Sequence, residues 1–133
     1  IKYPNFFFVF YLVACQWDEK LVSPMAHKPL WIVVFEGDLK AYPGMNAITS
    51  ALEKNGTKVA RAVWNGTALP AEFAANTSTM RQQKANVYYV ALKKGTVVPA
   101  GQTDDGGGNH VNTWRIAYNI EGIRDWLFAQ RKP

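Results

Sequence analysis

The chain has 133 residues, enough for one compact domain (residues 1–133) with a core of useful size. Hydrophobic residues make up 48% and aromatics 14%, which excludes a disordered tail or a solvated linker. The formal charge of +5 comes from Lys and Arg scattered with no run longer than Lys93-Lys94, so no nucleic-acid stripe is expected. No apolar run reaches the ~20 residues of a membrane-spanning helix, so no membrane partner is expected. The single cysteine, Cys15, excludes an intrachain disulfide and a Cys-only metal site.

In chain order, Lys2-Tyr3-Pro4-Asn5 reads as the end of a preceding element, because proline disfavours helix in the residue before it. Phe6 to Ala14 is a continuous apolar run of the kind buried on both faces of a parallel sheet. The same run, closing on Leu12-Val13-Ala14-Cys15, also fits a lipoprotein signal with its acceptor cysteine. Against the signal stand a first residue that is Ile and a charged region of one lysine. A polar connection, Gln16 to Lys28, leads to a second buried strand, Leu30 to Phe35, which ends on Glu36-Gly37-Asp38. From Pro43 to Asn55 the spacing of Met45, Ile48, Ala51 and Leu52 predicts a helix, with Gly56 as its left-handed terminator. Val59 to Trp64 alternates as a strand, Pro70 to Gln83 reads as a helix opened by proline, and Asn86 to Leu92 is a further strand. A glycine-rich loop follows, Thr103 to Trp114. Ile116, Ile120, Ile123 and Leu127 then mark one closing helix.

Strands alternating with helices predict an α/β fold, a parallel sheet covered on both faces. Sites in such sheets form at the carboxyl ends of the strands. Asp38 follows one strand and His110 lies in the loop after another, so an acid and a histidine are expected on one sheet edge. That is the geometry in which a carboxylate orients an imidazole. Plainer roles stand beside this one: Asp38 as a cap for the helix near Pro43, His110 as part of a solvated turn, and His27 as a loop residue. Trp17, Trp31, Trp64 and Trp126 read as core or strand residues, and Trp114 as a border of a substrate pocket. Asp104 and Asp105 lack the spaced oxygen ligands of a calcium loop, and no metal or cofactor is expected.

Three stretches carry a resemblance to a known family: Leu30 to Asp38, then Asn109-His110-Val111-Asn112-Thr113-Trp114, then Gly122 to Arg131 with its Trp126-Leu127 pair. The chain resembles the C-terminal half of an α/β-hydrolase, in the bacterial esterase and predicted-peptidase group related to polyhydroxybutyrate depolymerases and prolyl oligopeptidases. The resemblance covers nearly the whole chain. It implies the C-terminal part of a doubly wound, mostly parallel sheet, with Asp38 as catalytic acid and His110 as catalytic base. It also implies a small-molecule ester or peptide substrate and makes a secreted or cell-surface location the expectation.

The chain departs from the family at three points. The family often places its acid three residues after the glycine, whereas Asp38 follows Gly37 at once, which leaves Glu36 as an alternative acid. Asn109 stands where the family has Gly before its histidine. The serine is missing: none of Ser23, Ser50 or Ser78 lies in the Gly-x-Ser-x-Gly elbow that precedes the acid and histidine in this family. The expectation is therefore a chain that starts just after the nucleophile's helix, partnered by a missing N-terminal half and inactive alone. The other reading is a non-catalytic binding domain or a lipoprotein anchored at Cys15.

Overall fold

The computed structural model describes residues 10–13, 29–99, 101–102 and 105–129. Cys15, Trp17, Ser23 and His27 lie outside the described residues, as does most of the Phe6–Ala14 run. Strands β1 (Phe10–Val13), β2 (Leu30–Phe35), β3 (Val59–Trp64) and β4 (Val87–Leu92) form one parallel sheet in the order β1-β2-β4-β3. Among the described residues the helices are α1 (Ala41–Lys54), α2 (Pro70–Gln82), α3 (Gly106–Tyr118) and α4 (Glu121–Ala129). The α/β reading of the sequence holds at this level.

The strand order explains the hydrophobicity of each strand. β2 and β4 are interior and buried along their whole length, so both faces must be apolar. β3 lies at one side of the sheet and alternates, with Ala60 and Trp64 turned in and Arg61 exposed. The path from β2 through α1 to β3 passes over the position of β4, and the path through α2 returns in the opposite direction. Right-handed crossovers then require α1 and α2 on opposite faces. The core divides that way. Met45, Ile48 and Leu52 of α1 pack against Leu30, Ile32, Val34, Val87, Tyr89 and Ala91. Met80 of α2 joins Ile116, Ile120, Ile123 and Trp126 against Trp31, Val33, Tyr88 and Val90.

Trp31 is at the centre of the second cluster, fully buried and stacked on Tyr88 at 4.7 Å, with the Trp126 ring edge-on at 5.3 Å. Trp31, Trp64 and Trp126 are thus core residues, as expected. α1 ends as expected: Gly56 has φ of 88°, and the amides of Gly56 and Thr57 donate to Glu53 and Leu52, a Schellman arrangement.

Two expectations change. The closing segment is two helices, because the pattern breaks at Asn119 and Ile120. In the glycine-rich stretch, Gly106 onward is not loop but the first turn of α3, with Asp105 as its N-cap. The reason is an inward stripe, Asn109, Asn112, Thr113, Ile116 and Ala117, at helical spacing. Its polar members are bonded locally: Thr113 Oγ1 donates to the Asn109 carbonyl at 2.7 Å, and Asn112 Nδ2 to the Gly108 carbonyl at 2.8 Å. A buried polar side chain with its partner one turn back does not oppose the helix.

Candidate active site

At the carboxyl ends of β2 and β4 the chain forms a cleft of about 1000 Å³. The segment after β2 supplies Gly37, Asp38, Leu39 and Lys40; the segment after β4 supplies Lys94 and Gly95. The start of α3 supplies Asp105, Gly106, Gly107, Asn109, His110 and Val111. Phe35 and Ala41 complete the lining. Asp38 and His110 therefore meet at one cavity. Glu36, the alternative acid, does not line it; its Oε1 accepts the Lys94 amide at 3.3 Å and ties the ends of β2 and β4 together.

Asp38 is held in place by the start of α1. Its Oδ1 accepts the amides of Lys40 at 3.0 Å and Ala41 at 2.8 Å, and its carbonyl accepts from Tyr42 at 3.2 Å. It is thus the functional N-cap of α1, satisfying donors that a helix start otherwise leaves unpaired. The capping role is real, and it uses only one carboxylate oxygen. Oδ2 is not engaged by any described residue and remains available to a further donor.

His110 is exposed in the second turn of α3 and forms no hydrogen bond with Asp38. Its ring lies 6.1 Å from that of Trp114, which in turn meets Tyr118 edge-on at 5.6 Å. The three form an outward aromatic row at i, i+4 and i+8. Trp114 borders His110 and does not line the cleft. Asp105 caps α3, accepting the Gly108 amide at 2.7 Å.

Lys40 and Lys94 are cleft residues that the sequence does not single out, and Asp105 drew notice there only as a calcium ligand. Each had a legible marker: Lys40 stands two residues from Asp38, Lys94 closes a strand, and Asp105 precedes a helical stripe. Ser50 lies in α1 and Ser78 in α2, and neither lines the cleft. Among the described residues lining it, none is Ser, Thr or Cys. What the cleft offers is a carboxylate with one free oxygen, an imidazole open to solvent, and two ammonium groups. That set can orient and move a proton, but among the described residues it brings no hydroxyl or thiol nucleophile for acyl transfer. Comparison of the chain with protein-family models, characterised proteins and solved structures returned no match.

Proposed function

We propose that the chain is the C-terminal part of a doubly wound α/β-hydrolase sheet and supplies the acid and base of a serine hydrolase. The observation that supports this is the convergence of Asp38 and His110 on one cleft at the carboxyl edge of a parallel sheet, in the order acid then histidine. In this reading His110 accepts the proton of a serine supplied from residues outside these 133. Asp38 orients the imidazole and stabilises its protonated form. The serine attacks the carbonyl of a small ester or a peptide, the alcohol or amine leaves with the proton returned by His110, and water, activated by the same base, then hydrolyses the acyl-serine to the free acid. The oxyanion donors come with the serine, since one of them is the amide of the residue after it. The missing half of the domain is thus the first partner of this chain.

The test is ester cleavage by the protein extended upstream through its Gly-x-Ser-x-Gly elbow. His110→Ala should lower kcat by about 10⁴- to 10⁶-fold, the usual cost of removing a triad member. Its melting temperature should stay unchanged, because the side chain is exposed and carries no hydrogen bond that holds the fold. Retained cleavage in that variant overturns the assignment. The 133-residue chain by itself should not cleave esters.

A further inference from the structure

Asp38 and His110 line one cleft without bonding, and they are held very differently. Asp38 follows the fully buried strand β2 within three residues, and two amides of α1 fix its Oδ1. His110 sits behind Gly106, Gly107 and Gly108, which make up the first turn of α3. Nothing in the helical form calls for glycine at the first two of these positions. Neither has a positive φ. A Cβ added at Gly106 would meet no atom within 4 Å, and at Gly107 only Asp105 Oδ1, at 3.8 Å. Alanine fits both places, and glycine is the poorest helix former after proline.

The cost of glycine is borne where the helix is easiest to open. From Asn112 onward α3 is anchored by buried Thr113, Ile116 and Ala117. Between Asp105 and His110 the buried residue is Asn109, which is polar, so opening that turn moves no apolar core side chain into water. A segment that breaks the local rule for its own conformation, at the wall of a cleft, is where a functional departure from the most stable local structure is expected.

We propose that residues 105–110 are a hinge: the first turn of α3 opens and carries His110 to the free Oδ2 of Asp38. The inference rests on the reading of these two residues as base and acid. The helical form is then the unpaired, resting state, and the pair forms when the turn unwinds. Asp38 stays fixed throughout; the glycines absorb the change.

Amide exchange in the 133-residue chain tests the hinge. The amides of Asn109 and His110 should exchange at least about tenfold faster than those of Ile116 and Ala117. The pair Gly106→Ala/Gly107→Ala, which fits the helix, should slow the first two about tenfold and leave the others alone. Asp38→Asn keeps the cap but removes the charge. It should shift the His110 imidazole proton resonances in NMR, since the open turn brings the ring to the Asp38 side chain. That change should shrink in the alanine-pair background. Equal protection along α3, exchange unmoved by the alanines, or His110 resonances indifferent to Asp38→Asn overturns the hinge. None of these readouts uses ester cleavage, so an inactive serine-bearing protein counts against the hydrolase reading alone.

Discussion

Asp38 accepts two backbone amides through one oxygen and leaves the other free, so its cap and its proposed catalytic role are separable by substitution. Asp38→Ala removes the acceptor and should cost about 1 kcal/mol of stability, within the 0.5–2 kcal/mol range of such caps. Asp38→Asn keeps an acceptor of the same reach and should stay within a few tenths of a kcal/mol of the parent in urea unfolding. If Asp38 is the acid of the proposed triad, both variants should lose ester cleavage in a serine-bearing protein, because neither side chain carries the charge that stabilises a protonated imidazole. An Asn variant as unstable as the Ala variant would show that the carboxylate charge, and not the hydrogen bond, carries the cap.

Among the elements, β2 and β4 were legible because a strand buried on both faces must be apolar at every position, and few other elements look like that. α1 was legible from its spacing and from Gly56, whose positive φ ends the helix. α3 was not, and the reason is specific. Its inward stripe opens on Asn109, Asn112 and Thr113, polar residues that a hydrophobic pattern passes over, and its first turn is glycine. Their local hydrogen bonds, visible only in three dimensions, make that stripe compatible with burial. The candidate acid and base were legible as residues sharing a sheet edge; that Asp38 is spoken for through one oxygen was not. The packing of α4 on α2 was equally hidden, since it turns on Gly122. A Cβ there would lie 2.8 Å from Thr77 Cγ2 and 2.9 Å from its Cβ. Thr77 cannot swing away without losing its hydroxyl bond to the Phe73 carbonyl, at 2.7 Å. Gly122→Ala should therefore destabilise the chain by ~1–3 kcal/mol, the range for overpacking, measured as a lowered urea midpoint. A neutral result would mean that α4 shifts freely on α2.

For the molecule as a whole, the sheet is the common boundary of two cores, and a group on it can make global stability depend on pH. Tyr89 is such a group. It lies on β4, buried on the α1 face, with its hydroxyl donating to the Tyr42 carbonyl at 3.4 Å and the Arg61 guanidinium 5.5 Å from its ring centre. Arg61 itself bridges α1 and β3, pairing with Glu53 and donating to Thr49 Oγ1 at 2.9 Å. Burial, and after it the Tyr42 phenol, push the Tyr89 hydroxyl well above its ordinary range, against the opposing pull of Arg61. The folded phenol therefore holds its proton when the unfolded one has lost it. The stability this contributes is complete below the unfolded value of about 10 and falls as pH rises through the interval above it. One proton sets a limit of about 1.4 kcal/mol per pH unit. Tyr89→Phe should flatten the loss of unfolding free energy above about pH 10, while the other tyrosines and lysines leave their own slope in both proteins. Parallel pH profiles for the two would mean that the phenol ionises as readily in the fold as out of it, and that the sheet face beneath α1 is open to water.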